Sequence, residues 1–422
     1  MKIISFLGFN NYQTTTYVHP TNPEITCKTR FFQEALVDFY RPTEIYVLLT
    51  KTVATVAPRG AEVTNWQGLQ DCLADKVTIR PIEDIPEGSA PEDLWDIFDC
   101  ITDCLDHGDR VIFDFTHGYR FLPVVALLAI SYLRTVRQVQ VEGVLYGAFD
   151  PNSQGESSPT YDLLPMLSLL DWLAATDRFV NLGDGLPLAQ LLQTAIPGAE
   201  RRDNPEVRNP GSRLDQAGKV IAEISQAIAL ARPMETLELT VQLEEIINRA
   251  SDSFDQRAKP FNLIKDQLLA EYGQFALPES WEPENLQRNL WLQFQLINWY
   301  LQRGQAVQAM TLASEWLISV VAFRLGAKQI LDHRKQINFA LNNGGAVQKK
   351  REPVGPSSFD EQFQALSQYQ FLSQLWNDLT EIRNDLAHCG MRKDPKSAKK
   401  LQEKANKIFP QLEEIANSLL KQ

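Results

Sequence analysis

The stretch that decides the fold of the first part of the chain is Arg110–Arg120, which reads RVIFDFTHGYR. Its first residues form a continuous β-branched and aromatic run, which is typical of a strand buried on both faces. Asp114 and Thr116 stand at the carboxyl end of this strand, and Gly118 permits a tight turn. An apolar helical segment begins near Leu122. Strand, polar turn and helix in this order predict a unit of an α/β sheet.

Similar apolar runs recur through the first 150 residues, with helical segments between them. The runs are Lys2–Leu7, Glu44–Thr50, Lys76–Ile82 and Val139–Tyr146. The helical segments are Lys28–Phe39, Asn65–Ala74, Pro91–Asp106 and Leu122–Arg134. This alternation predicts a mostly parallel, Rossmann-like sheet. We therefore expect a ligand at the carboxyl ends of the strands.

The second half of the chain has helical periodicity and no strand pattern beyond about residue 214. Asn342–Ser358, with three glycines and two prolines, predicts a mobile loop between its helices. The predicted fold class is α/β followed by all-α. The predicted domains are a sensing domain at 1–175, a linker with interdomain helices at 176–235 and a helical domain at 236–422.

Charge and cysteine content narrow the class of protein. The net charge is −12, which argues against broad electrostatic binding of duplex nucleic acid. The five cysteines are odd in number and form no CxxC pair, so we expect neither a disulfide scaffold nor a metal site. We expect reduced thiols in a cytoplasmic protein. The most apolar run, Phe121–Leu133, is shorter than the ~20 residues that span a bilayer, so we expect no membrane partner.

The sharpest chemical signal in the helical half is Arg383–His388, which reads RNDLAH. On a helix Asn384 and His388 share a face, and a long Arg383 side chain can pass the small Ala387 to reach the same point. Histidine transfers protons near neutral pH, and a guanidinium stabilises a phosphate. RNA supplies its own nucleophile, the 2′-OH, so this set suits RNA cleavage without a metal. The alternative is a helix end whose Arg and His favour the dipole.

Two polar segments follow predicted strands and suit a ligand that carries phosphates and bases. Gly8–Tyr17 reads GFNNYQTTTY, and its Asn and Thr side chains can bind phosphate oxygens and adenine edges. Neither GxGxxG nor GxxxxGK[ST] is present, which disfavours dinucleotide and P-loop sites. The turn Asp114–Gly118 precedes a helix N-terminus, where anions bind. The alternative for both segments is a polar loop that caps a helix.

These motifs resemble those of CRISPR-associated proteins. Asp114–Gly118 resembles the DxTHG signature of CARF proteins, Gly8–Tyr17 resembles the first CARF motif, and Arg383–His388 resembles the HEPN ribonuclease motif. The resemblance implies a CARF domain that binds cyclic oligoadenylate, with cyclic tetra-adenylate (cA4) favoured over cA6, and a HEPN domain. The implied ligand-binding residues are Gly8, Asn10, Asn11, Tyr12, Thr14, Thr15, Thr16, Asp114, Thr116, His117, Gly118 and Arg120. The implied catalytic residues are Arg383, Asn384 and His388.

The resemblance implies a homodimer or higher homo-oligomer that cleaves single-stranded RNA in antiviral defence, with no cofactor besides its activator. Two alternatives stay open. The helical half could regulate transcription by binding DNA, or the threonines and His117 of the first domain could degrade the ring itself. The basic stretch Met391–Lys407 beside the motif either steers RNA or is a solvated helix face.

Overall fold

The computed structural model describes residues 1–87, 90–119, 121–149, 157–348, 350–391 and 393–420. Its internal contacts divide the chain into two units, Met1–Asp171 and Trp172–Gln422. The division falls within the helix Leu164–Leu182.

The described part of the first unit contains an eight-stranded mixed sheet. Its strands are β1 Lys2–Phe6, β2 Thr15–Val18, β3 Thr26–Thr29, β4 Glu44–Thr50, β5 Thr78–Ile85, β6 Arg110–Asp114, β7 Gln140–Gly147 and β8 Ser157–Asp162. They lie in the order β3-β2-β8-β7-β6-β1-β4-β5. The run from β7 to β5 is parallel, as is the β2–β8 pair, whereas β2 with β3 and β7 with β8 are antiparallel. This confirms an α/β unit with a parallel centre.

Helices cover both faces of this sheet. They are α1 Phe32–Tyr40, α2 Lys51–Thr55, α3 Asn65–Leu73, α4 Asp93–Asp103 and α5 Leu122–Val136. Ile3 and Ile112 belong to the core under one face, and Ile4 and Phe113 belong to the core under the other. Because successive strand residues point to opposite faces, burial on both faces requires an unbroken apolar run. This explains why the sequence revealed the central strands.

In the residues described, the second unit contains helices and their connections but no strand, and its first helix, Leu164–Leu182, begins in the first unit. Its helices are α6 Leu164–Leu182, α7 Leu186–Thr194, α8 Gly198–Asp203, α9 Arg208–Ala229, α10 Pro233–Arg249, α11 Ser251–Arg257, α12 Lys259–Asn262, α13 Lys265–Gly273, α14 Leu286–Gln302, α15 Ala306–Arg324, α16 Leu331–Gln348, α17 Asp360–Gln364, α18 Tyr369–Ala387 and α19 Ala398–Leu419. One hydrophobic core extends from Trp172 to Leu420. The predicted change from α/β to all-α along the chain is confirmed.

The prediction of a loop at Asn342–Ser358 is wrong for the first part of that segment, because α16 continues to Gln348. The two glycines that suggested a loop lie where α16 meets α18. A Cβ on Gly344 would collide with Ser373 Oγ, and one on Gly345 would lie 2.8 Å from Asn377 Nδ2. Here glycine serves close packing of two helices rather than a turn.

Helix α15 is long and apolar enough, by length and composition, to cross a membrane. However, 67% of its apolar window is buried inside the protein. Trp316, Leu317 and Val320 on this helix are fully buried among the other helices. Such burial is typical of the core helix of a helical domain.

Candidate functional site

The two predicted ligand loops meet at one edge of the sheet. Strands β1 and β6 are parallel neighbours, with Ser5 opposite Asp114. The loops that follow them therefore leave from the same edge. A Cβ on Gly8 would lie 3.3 Å from Gly118 N. Gly118 has φ +105°, and a Cβ there would lie 3.2 Å from Phe6 Cβ, so this turn needs glycine.

Asp114 anchors the turn from inside the domain. It is fully buried; Ser5 Oγ donates to its Oδ2 at 2.7 Å and Thr116 N donates to its Oδ1 at 2.8 Å. Gln33 Nε2 donates to Ser5 Oγ at 2.9 Å, which fixes the serine in turn. Burial raises the pKa of Asp114 to about 6. The carboxyl group thus shapes the loop and does not face a ligand.

Two predicted ligand threonines are also engaged inside the domain. Thr116 Oγ1 accepts a hydrogen bond from Gly147 N at 2.8 Å, which joins the ends of β6 and β7. Thr15 is buried in β2, and its Oγ1 lies 2.8 Å from Ser158 Oγ of β8. Both threonine hydroxyls therefore connect neighbouring strands of the sheet. Thr16, the next residue of β2, is half-buried.

Tyr12 closes the first loop and contacts the second. Its hydroxyl accepts from Gly8 N at 2.8 Å and donates to Gly8 O at 3.1 Å. Its ring lies on the imidazole of His117, with centroids 4.2 Å apart. Burial raises the pKa of Tyr12 and lowers the pKa of His117 to about 4, so this imidazole is neutral at physiological pH. His117 Nε2 is buried without a partner among the described residues.

Asn65 is a loop contact that sequence reasoning missed. It is buried at the start of α3, and its Nδ2 donates to Gly8 O at 2.9 Å and to Asn10 O at 2.8 Å. The helix begins with a capping box formed by Thr64 and Gln67. This T-x-x-Q pattern signals a helix start, but nothing in it indicates which loop the next residue will hold.

The side chains left open at this edge are uncharged. Asn10, Asn11, Thr14 and the backbone of Gly118 are exposed. Neither Gly8–Thr16 nor Asp114–Tyr119 contains lysine or arginine, and the predicted contact Arg120 lies outside the described residues. Amides and hydroxyls can donate to phosphate oxygens and pair with base edges. The arrangement suits a polar ligand rich in hydrogen-bonding groups.

The predicted catalytic residues all lie at the end of α18. His388 is the C-cap, and a Schellman-type turn follows it: Cys389 N donates to Leu386 O and Gly390 N donates to Asp385 O, both at 3.1 Å. Cys389 adopts φ 53°, a left-handed conformation that costs a non-glycine residue about 1 kcal/mol. The chain therefore turns sharply immediately after the histidine.

The side chains of this motif are free in the described structure. Arg383 and Asn384 are half-buried and His388 is exposed. None of the three side chains forms a hydrogen bond or ion pair with any residue that the structure describes. A single chain thus brings them to one helix end without fixing their side-chain geometry.

In the basic stretch Met391–Lys407, some lysines pair with an acidic residue of α18 and the others do not. Glu381 binds Lys396 and Lys404, and the bond to Lys396 lowers the pKa of Glu381. The remaining lysines are exposed and have no ion pair within the described ranges; they are Lys393, Lys399, Lys400 and Lys407. Arg392 lies outside the described residues. In the part of the chain that is described, no group of three His, Cys, Asp or Glu side chains could hold a metal ion.

Comparison with known proteins shows what the first unit is similar to. Residues 2–151 match the family model for the CARF domain of the CRISPR system endoribonuclease Csx1. Over 112 residues the chain is 24% identical to the CRISPR-associated protein MJ1674 of Methanocaldococcus jannaschii, an alignment that covers 26% of this chain and only 18% of that protein. Enterococcus italicus Csm6 bound to cyclic hexa-2'-fluoro-hexa-dAMP superimposes with a TM-score of 0.45 at 11% identity, covering 99% of this chain and 94% of that chain. Residues 2–151 are therefore similar to the CARF domain of Csx1.

Proposed function

We propose that the chain is a ribonuclease activated by cyclic oligoadenylate, with cyclic tetra-adenylate favoured over cyclic hexa-adenylate. The observation that carries the proposal is the meeting of the Gly8–Thr14 and Thr116–Tyr119 loops at one sheet edge, in residues that match a CARF domain. Asn10, Asn11, Thr14 and His117 would contact the adenylate ring. Arg383, Asn384 and His388 would cleave single-stranded RNA.

The chemistry follows from the side chains at the end of α18. The RNA 2′-OH attacks the adjacent phosphorus and the bond from phosphorus to the 5′ oxygen breaks. His388 accepts or delivers the proton, Arg383 stabilises the charge on the phosphorane, and Asn384 orients the phosphate. The products are a 2′,3′-cyclic phosphate and a 5′-OH. No metal ion takes part in this scheme.

The resemblance to the HEPN motif implies that two copies of the chain pair at this site, and no described residue of one chain holds the Arg383 and His388 side chains in place. An exposed apolar face on α5 supports self-association. Val124, Leu128, Tyr132 and Val136 follow each other at four-residue spacing and are each more than half exposed. Contiguous exposed apolar surface is a feature of interaction sites. Activator binding would then shift the two chains and align their motifs.

The test is RNA cleavage by the full chain with cyclic tri-, tetra- and hexa-adenylate, with and without EDTA. We expect cleavage that requires a ring and survives EDTA, and a mass of two chains by light scattering. R383A and H388A should each lower the rate by about 100-fold or more. Full activity in both variants, or loss of activity in EDTA, would contradict the proposal. Linear adenylate formed by H388A would instead favour ring degradation by the first unit.

A further inference from the structure

The aspartate inside the RNDLAH motif is buried without a counter-charge among the described residues. Asp385 is 1% exposed. Lys396 N donates to its Oδ2 at 3.2 Å, whereas its Oδ1 has no hydrogen-bond partner among the described residues. Burying a carboxylate without a cation is costly, and an unpaired buried oxygen in a native fold calls for a reason.

The neighbouring cations that the structure describes do not supply that charge. The Lys396 ammonium binds Glu381, one turn earlier on the helix, and Lys404 lies 3.6 Å from the same carboxylate. Arg383 is two residues before Asp385 and leaves the helix about 160° away. His388 is three residues after it, only about 60° around the helix, and its imidazole has no partner in the described structure.

On the basis of the proposed function, we infer that Asp385 is a positioning residue that orients the His388 imidazole. Its Oδ2 fixes the returning chain at Lys396, and its Oδ1 accepts the N–H of the imidazole when the activated site assembles. The carboxylate then favours one orientation of the ring and stabilises the imidazolium that forms when His388 takes the 2′-OH proton. Asp385 itself touches neither RNA nor the reacting atoms.

The test compares D385N with S373A in the full chain, at saturating RNA and cyclic tetra-adenylate, across a range of pH. The amide introduced by D385N keeps an oxygen for Lys396 N but carries no charge. We expect kcat to fall by about tenfold or more with an unchanged KM. The limb of the kcat profile that reports His388 should move to lower pH, because a neighbouring carboxylate favours the protonated ring. Ser373 is an equally buried polar residue of α18 whose hydroxyl has no partner among the described residues, so S373A should keep both the rate and the profile.

A wild-type rate and profile in D385N, or the same loss in S373A, would overturn the inference. If D385N does not fold, an NMR titration of the intact protein with ¹³C-labelled histidine replaces it. The chain has only five histidines, and H388Q assigns the His388 signal. The His388 midpoint should rise when the activator is added, and an unchanged midpoint would overturn the inference. An active H388A would refute the proposed function itself, whereas an inactive H388A beside a normal D385N would refute only the role of Asp385.

Discussion

At the sheet edge, Tyr12, Asp114 and Thr116 each form hydrogen bonds with backbone or side chains, some of them from other strands. At the end of α18, Arg383 and His388 form none with any described residue. The first site is built by the fold of one chain, so its shape is present before a ligand arrives. The second site depends on something outside the helix end to order it. This difference suits the proposed function, in which a preformed ligand site controls a ribonuclease site that assembles only on activation.

The largest expected effect concerns Asp114 and pH. Its pKa rises from 3.8 to about 6 on folding, so its contribution to stability is fully present below about pH 4 and is lost as the pH rises through about 6. D114N keeps the hydrogen-bonding shape without the charge. We expect D114N to gain about 3 kcal/mol relative to the wild type between pH 4 and pH 7.5. Urea unfolding of both proteins across this range measures the difference.

R383A is the matched control from the other site. Because Arg383 has no partner in the described structure, its removal should change the free energy of unfolding by about 0.5 kcal/mol or less at every pH. If R383A proved as destabilising as a buried substitution, or if the D114N difference did not vary with pH, the contrast between the two sites would be wrong.

The sequence predicted the strands buried on both faces, because they need unbroken apolar runs. It missed β2, β3 and β8, which contain threonine or serine instead of an unbroken apolar run. These strands lie beyond β7 in the sheet, where antiparallel pairing and partial exposure permit polar residues. Gly344 and Gly345 misled in the opposite way, since glycine marks either a turn or a close helix contact.

The sequence placed the two candidate loops at strand ends, but it did not give the direction of their side chains. The DFTHG string placed Asp114 and Thr116 at a strand end, yet whether they face a ligand or the interior depends on Ser5 and Gly147. Those partners lie 109 and 31 residues away in sequence. Contacts of this kind come from the register of the sheet, which no local pattern encodes.

A middle-sized effect is expected at Asn65, whose amide holds the backbone of the Gly8–Asn10 segment. N65A removes both hydrogen bonds, so the loop must be ordered by the ligand instead. We expect the Kd for cyclic tetra-adenylate to rise by about tenfold, as for the loss of one to two hydrogen bonds, with kcat unchanged at saturating ring. Isothermal titration calorimetry measures the Kd.

Q67A is the control for helix α3. It breaks the same capping box at the helix start but removes no bond to the loop. Q67A should lower stability by about 1 kcal/mol and leave the Kd unchanged. Equal Kd values for N65A and the wild type would mean that the loop is held without Asn65.

The smallest expected effect separates free from paired lysines beside the Arg383–His388 motif. Lys399 is exposed and unpaired in the described structure, whereas Lys404 lies 3.6 Å from Glu381. If Lys399 binds an RNA phosphate, K399A should weaken binding of single-stranded RNA about two- to threefold. The slope of log Kd against log salt should then fall by about 0.7, the value for each phosphate that a cation neutralises on a single strand.

K404A should change the slope less, because Glu381 already offsets that charge. K219A, on the distant helix α9, should change neither quantity. Identical slopes for K399A and K219A would show that Lys399 lies on a solvated helix face and neutralises no RNA phosphate.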